Sequence, residues 1–173
     1  MTKLTRESIL AVAADRLEQF GLTGLSMRGI ATDLDVQPGA LYWHFPNKQS
    51  LLAALADQVI AACEPNDGDD PVAAALRLRA ALMAVPDGAE LVASVIALGT
   101  GGAPAFELLH RACRDHGWDE TLAATALHLV LGEVMHEQQR AQAKRLGVEL
   151  GVESVTANEE TLRRGLDALF RTT

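Results

Sequence analysis

The sequence contains few cysteines, few aromatic residues and no long apolar run. Its 173 residues include two cysteines, two tryptophans, one tyrosine and four phenylalanines. Cys63 and Cys113 form neither a disulfide framework nor a Cys-x-x-Cys pair, which favours structural thiols in a reducing compartment over a redox-sensing pair. No apolar run approaches the roughly 18–20 residues of a transmembrane helix, and the start of the chain has no apolar segment typical of a secretory signal. We therefore expect a cytoplasmic protein with no membrane partner.

The net charge of −8 argues at first against a nucleic-acid partner, but the charge is unevenly distributed. Residues 1–60 carry five basic and six acidic side chains, whereas residues 61–173 carry ten basic and seventeen acidic ones. A small module can bind phosphate through a few well-placed cations even when the whole protein is acidic. Charge alone therefore does not decide the class of partner.

Apolar residues recur with a helical period along nearly the whole chain, and the signals for strands are weak. Thr5, Ser26 and Asn47 are predicted helix caps, and Pro38 suits the start of a short helix that lasts about two turns before Pro46. The acidic stretch 64–71 predicts a linker, 98–104 an irregular stretch, and 146–157 either an extended piece or a loop. The later helices are predicted at about 72–85, 89–98, 105–116, 119–145 and from Asn158 onward. The predicted fold class is all-α.

Residues 26–45 have the proportions of a helix-turn-helix, with Asp35-Val36-Gln37 as the turn. At 100° per residue, Leu41 and Phe45 lie on one face of the second helix, and Trp43 and His44 point away from it. An outward tryptophan on so short a helix is costly unless it contacts a partner. A DNA major groove suits that face, since Gly39 and Ala40 permit a close approach to the base edges. The alternative is a helical bundle that buries Trp43 within the chain.

Several polar side chains around this helix can contact DNA. His44 can bond a base or a phosphate, and Tyr42 can reach a phosphate oxygen. Lys48 stands at the N-terminus of the next helix, where the helix dipole favours an anion. Arg28 lies off the apolar stripe of the preceding helix and is free to contact the phosphate backbone.

These residues carry a resemblance to a known family. The matching positions are Leu25-Ser26-Met27-Arg28-Gly29-Ile30-Ala31, Val36, Gly39, Leu41-Tyr42-Trp43-His44-Phe45, Asn47-Lys48 and Leu51-Leu52. In this register the chain resembles the N-terminal DNA-binding region of the TetR family of bacterial transcriptional regulators over roughly residues 5–60. The resemblance implies a DNA surface formed by Arg28, Gln37, Gly39, Ala40, Tyr42, Trp43, His44 and Lys48. One departure is that Pro38-Gly39-Ala40 offers almost no hydrogen-bonding side chain at the family's base-reading positions.

The same resemblance implies two domains and a homodimer. Residues 1–46 would form the three-helix helix-turn-helix domain, and residues 47–173 the effector-binding and dimerisation domain. Residues 119–145 are apolar around most of the helix circumference, as expected of a helix buried on more than one side. Helices at about 119–145 and 158–171 would join the two subunits, and the dimer would bind a palindromic operator.

The later half resembles the tetracycline-repressor branch more weakly. Where that branch places ligands for a Mg²⁺–tetracycline complex, this chain has Ala97, Cys63 or Glu64, and His136. The losses predict a different effector, and we expect no cofactor and no metal. A metal site at His128, Glu133 and His136 is a weaker alternative. The candidate effector pocket is Phe106, His110, Cys113 and His128, with ordinary packing as the alternative.

The expected function is therefore a repressor that a small-molecule effector releases from its operator. We expect no enzymatic activity, since no nucleophile stands beside a base and an orienting group. The competing interpretation is a helical small-molecule-binding or catalytic protein that does not use its N-terminal motif for DNA.

Overall fold

The computed structural model describes residues 4–63, 68, 70–151 and 157–171, and among them it contains helices and no strand. This confirms the all-α prediction. We call α1–α3 the head and α4–α9 the body. The helices are α1 (Arg6–Phe20), a 3₁₀ turn (Leu22–Gly24), α2 (Met27–Asp33), α3 (Pro38–Tyr42), α4 (Lys48–Ala61), α5 (Pro71–Met83), α6 (Gly88–Ala97), α7 (Ala103–Asp115), α8 (Glu120–Arg145) and α9 (Glu159–Arg171).

The predicted caps start the helices of the head and the first helix of the body. The side chains of Thr5 and Asn47 each form a reciprocal capping box with a serine three residues later, at the starts of α1 and α4. The hydroxyl of Ser26 accepts a hydrogen bond from the N–H of Gly29 and caps α2. Each bond satisfies a backbone N–H that has no partner within its helix.

The third helix is shorter than the predicted two turns. It ends at Tyr42, and the N–H groups of His44 and Phe45 both donate to the carbonyl of Leu41, at 3.0 and 2.9 Å. Because a residue before proline is disfavoured in the helical conformation, Pro46 prevents α3 from continuing. The turn still buries Phe45 as completely as Leu41, since both are 0 % exposed.

Two predicted connections lie partly outside the described residues. Of the linker predicted at 64–71, residues 64–67 and 69 are not described. Asp70 caps α5 through the N–H of Val72, so that helix begins at Pro71. Residues 152–156 of the uncertain stretch before α9 also lie outside the described residues.

One hydrophobic core runs through the head and the body. Helix α4 contacts α1 on one side and α5, α6 and α7 on the other, so it connects the two. Helix α8 contacts α5, α6, α7 and α9. The rings of Trp118 and Phe170 stack with centroids 4.5 Å apart and hold α9 against the α7–α8 turn.

No single described helix is long and apolar enough to cross a membrane. Helices α5 and α6 meet that criterion only when taken together, as a pair bent by 109°.

Candidate nucleic-acid interface

The second helix of the helix-turn-helix separates buried from exposed side chains sharply. Leu41 and Phe45 are both 0 % exposed, whereas Tyr42 is 48 % exposed and Trp43 is 90 % exposed. The alternative that buries Trp43 within the chain is therefore wrong. An indole left in water beside two fully buried apolar side chains indicates a surface that another molecule covers.

The predicted DNA-contacting residues lie on α2, on the α2–α3 turn, on α3, on the turn that follows α3 and on the start of α4. The turn is closed by Asp35 in the left-handed conformation (φ 53°) and by the Val36 N–H bonded to the Ala31 carbonyl at 3.0 Å. Arg28, Gln37, Gly39, Tyr42 and Trp43 are exposed, and Ala40, His44 and Lys48 are partly buried.

The surface around α3 leaves room for a close approach. A Cβ added at Gly39 would meet no atom within 4 Å, and Lys48 is the first residue of α4, where the helix dipole attracts an anion. Arg28 on α2 and Lys48 at the start of α4 therefore add cations to a surface whose α3 residues are mostly small and aromatic. This arrangement suits contact with phosphates at the edges and base pairs at the centre.

Two arginines of α1 fix the helix-turn-helix, and the sequence patterns did not single them out. Arg16 pairs with Asp33 at 2.7 Å and also donates to the Gly24 carbonyl at 3.3 Å. Arg6 donates through Nη1 to the His44 carbonyl at 2.6 Å. These three contacts join residues 8, 17 and 38 positions apart in sequence, so helical periodicity gives no signal for them.

A polar junction joins the head to the turn between α5 and α6. The Leu22 N–H donates to Oδ2 of Asp87 at 2.8 Å, across 65 residues of sequence. Asp87 itself has a positive φ of 55°. From α8, the amide of Gln138 donates to the carbonyls of Leu82 and Val85 and accepts from the N–H of Ala89. Helix α8 is thereby connected through this turn to the head.

A groove of about 550 Å³ in the body contains two of the four predicted pocket residues. Phe106 and His128 line it, and the His110 ring stacks on Phe106 with centroids 5.3 Å apart. Cys113 is fully buried in the core, and that burial, with a smaller effect of Asp119, raises the pKa of its thiol to about 11. The groove is lined by Ile96, Gly99, Thr100, Gly101, Gly102, Ala103, Phe106, Ala124, Leu127 and His128.

The floor of this groove rests on α4. The N–H of Gly102 donates to Oδ1 of Asp57 at 3.2 Å, and a Cβ added at Gly101 would lie 2.8 Å from the Cβ of Ala53. Glycine at position 101 therefore permits a close contact between the loop and α4.

A second, smaller depression of about 240 Å³ lies along α8. Here Oε2 of Glu133 is buried, with no hydrogen-bond partner among the described residues. Burial is the main cause that raises the pKa of Glu133; nearby Glu137 adds to the rise, and His136 and Arg79 oppose it. In the part of the chain that the structure describes, no three metal-ligating side chains form a group able to hold a metal ion.

Residues 9–55 match the family model described as bacterial regulatory proteins, tetR family. The chain is 33 % identical over 183 aligned positions to tetracycline repressor protein class C of Escherichia coli, an alignment that covers 99 % of this chain and 82 % of that protein. Among solved structures, BioQ of Mycobacterium smegmatis shares 34 % identity at a TM-score of 0.84, covering 98 % of this chain and 97 % of BioQ. A structure of BioQ with its natural double-stranded DNA operator shares 33 % identity at a TM-score of 0.81, covering 98 % of each chain.

Proposed function

The chain belongs to the TetR family of bacterial transcriptional regulators, helix-turn-helix proteins that bind DNA, and from that premise we propose that it is a homodimeric repressor. It binds a palindromic operator and is released by a small molecule. The observation that carries the proposal is the α3 surface, where Trp43 is 90 % exposed beside fully buried Leu41 and Phe45.

The proposed DNA surface consists of the eight predicted residues. Because Gly39 and Ala40 are small, α3 can enter the major groove closely. His44 and Trp43 then contact base edges. Arg28 and Lys48 bind backbone phosphates. Recognition of the DNA sequence then depends on few hydrogen bonds to bases, and the shape of the DNA supplies the remaining specificity. A structural relative, BioQ, was solved with its own operator, which supports this docking.

The proposed dimer forms through α8 and α9. Their outward faces carry Gly132 and Gly165, and a Cβ added at either position would meet no atom within 4 Å. Leu129, beside Gly132, is 37 % exposed. Small residues let helices approach closely, and an exposed leucine gains from burial against a second copy. Residues 1–46 would then be the DNA-binding domain and 47–173 the dimerising and effector-binding one.

The proposed effector binds in the groove between the 99–102 loop and α8. Among the described residues that line the groove, none is a carboxylate, lysine or arginine, and His128 is the one ionisable side chain. A charged ligand would lose its hydration there without gaining an opposite charge, so the effector is uncharged and largely apolar. A solved TetR variant from Acinetobacter baumannii AYE, 28 % identical to this chain, binds minocycline. The fit of this groove to an uncharged molecule predicts a different ligand here.

The proposed coupling is a shift between two populations of the dimer. The loop bonds Asp57 of α4, and α4 contacts α1 of the head. An effector that prefers one loop position therefore favours one spacing of the two heads. The coupling free energy equals the difference between the binding free energies of the effector for the two states, typically about 1–3 kcal/mol.

The test starts from a random pool of DNA duplexes, from which the wild-type protein enriches its best site. We expect a palindrome whose affinity falls steeply with salt. Lys48→Ala should weaken every duplex about equally and lower the salt slope by about 1 for each head, about 2 for the proposed dimer. His44→Ala should reduce discrimination between related duplexes by about 1–3 kcal/mol if the imidazole reads a base.

The competing function is small-molecule binding or catalysis by a helical protein that makes no use of its N-terminal motif. Failure to enrich any duplex, together with turnover of a small molecule, would favour that function. If Lys48→Ala and His44→Ala both bind DNA with unchanged affinity, the proposed docking geometry is wrong, although the protein still binds DNA.

A further inference from the structure

We propose that Arg6 is a positioning residue that sets the orientation of the DNA-contacting turn after α3, and so contributes to sequence specificity. The inference rests on the proposed docking of Trp43 and His44 in the major groove. It adds a residue outside the eight predicted DNA contacts, located at the start of the first helix.

The DNA-facing segment has little stability of its own. Helix α3 has five residues, and an isolated helix this short does not persist in water. Trp43 and His44 follow it in a turn, and the indole of Trp43 is too exposed to hold itself in place. The orientation of this turn must therefore come from contacts with the rest of the head.

Arg6 makes two such contacts. Its Nη1 donates to the carbonyl of His44 at 2.6 Å, a short hydrogen bond assisted by the guanidinium charge. The guanidinium carbon lies 4.1 Å from the centre of the Phe45 ring, within the range of a cation–π contact. One planar group thus holds the backbone of His44 and the face of the next residue together.

Arg6 is itself held in a fixed position. It is the first residue of α1, directly after the N-cap Thr5, whose side chain forms a capping box with Ser8. The inner side of α1 is anchored by Ile9 and Ala13, both 0 % exposed. The contact therefore transmits the placement of α1 to the turn after α3, and lysine cannot reproduce it, because an ammonium group lacks the planar fork.

The DNA test compares two duplexes, the one most enriched by the wild type and a shuffled sequence of the same length. Arg6→Ala should lower the ratio of the two affinities about tenfold, the effect of about one misread base pair. Arg6→Lys, which keeps the charge, should bind the shuffled duplex as the wild type does but leave the ratio at least about threefold low. Arg111→Ala, which removes the same charge from an exposed position on α7, should leave the ratio unchanged.

Two outcomes would overturn the positioning role. If Arg6→Ala weakens both duplexes equally and lowers the salt slope by about 1 for each head, about 2 for the proposed dimer, Arg6 is only a phosphate ligand. If Arg6→Lys restores the full ratio, the charge alone is sufficient. Circular dichroism melting of each variant separates loss of discrimination from loss of folding.

A measurement without DNA tests the contact itself. In a Trp118→Phe background, Trp43 is the one remaining tryptophan, and its time-resolved fluorescence anisotropy reports local motion. Arg6→Ala should add a fast depolarising motion that Arg111→Ala does not add, and an unchanged decay would overturn the inference. If no duplex is ever enriched, the proposed function fails, and this measurement still decides whether Arg6 holds the turn.

Discussion

The head and the body both expose apolar side chains, but in different surroundings. In the head, the exposed rings of Tyr42 and Trp43 stand beside His44, with Arg28 and Lys48 close by in the motif. In the body, the outward face of α8 presents Leu129 next to Gly132, with open space above the glycine. The first surface combines rings with cations, as a polyanion requires, whereas the second is small and aliphatic, as a packed helix requires.

The largest expected effect comes from filling the open space on α8. Gly132→Arg should be tolerated by the single chain, because a side chain at this position meets no neighbour and glycine is a poor helix former. It should block the second subunit, and the loss of bivalent binding should lower operator affinity at least about 100-fold. Sedimentation equilibrium and operator titration measure the two effects.

Gly132→Ala is the matched control, since a methyl group improves helix propensity without adding bulk. The control should remain dimeric. A Gly132→Arg protein that also remains dimeric would show that this face of α8 is not the interface. The small, aliphatic surface of the body would then have no assigned partner.

An intermediate effect, on stability, is expected at the hydrogen bond between Leu22 and Asp87 that joins the head to the body. Asp87→Ala removes the acceptor of the Leu22 N–H and places alanine at a positive φ. We expect a loss of roughly 2 kcal/mol in the free energy of unfolding, from one unsatisfied hydrogen bond and backbone strain. Urea denaturation followed by circular dichroism measures it.

Asp87→Asn separates the two contributions, because asparagine keeps an acceptor oxygen and tolerates the left-handed conformation. Its loss should stay below about 1 kcal/mol. Hydrogen exchange at the Leu22 amide should accelerate in Asp87→Ala and change little in Asp87→Asn; equal exchange in all three proteins would mean that the bond does not connect head and body.

The smallest expected effect concerns the partly buried carboxylate of Glu133 on α8. Because burial raises the pKa of Glu133 above its value in the unfolded chain, ionisation disfavours the folded state, and stability falls as the pH rises through the folded pKa. Glu133→Gln should therefore raise the free energy of unfolding at pH 7.5, by less than about 1 kcal/mol because solvent screens a partly exposed group.

The advantage of Glu133→Gln should vanish near pH 3.5, where the carboxyl group is neutral in the folded and unfolded chains alike. Urea midpoints at the two pH values measure the change. A variant less stable than the wild type at pH 7.5 would indicate that Glu133 has a stabilising partner, for example in the second subunit.

The sequence predicted the features that depend on neighbours along the chain. Thr5, Ser26 and Asn47 begin their helices as expected, because a cap depends on the next three residues. The opposite exposure of Leu41 and Trp43 was also predictable from helical geometry. That prediction held although α3 ends at Tyr42, since the Leu41 carbonyl keeps the following turn wound.

Contacts between distant parts of the chain could not be predicted in this way. Arg6 reaches a carbonyl 38 residues away and Asp87 an amide 65 residues away, and neither bond leaves a periodic pattern. The groove also depends on distant contacts, because Phe106 and His128 both line it only through the packing of α7 on α8. Neither His110 nor Cys113 lines it, and a role for these two residues in binding stays a prediction.

The two cysteines have a practical consequence. Both are buried, and burial raises the pKa of each thiol, so at neutral pH both are protonated and poorly nucleophilic. Maleimide and methanethiosulfonate reagents should therefore modify these two thiols only slowly in the folded protein. A cysteine introduced at an exposed head position outside the proposed DNA surface, for example Ala11→Cys on α1, could then carry a spin label without removal of either native thiol. Each dimer would hold one such probe in each head, and the distance between the two would report the spacing that operator binding requires.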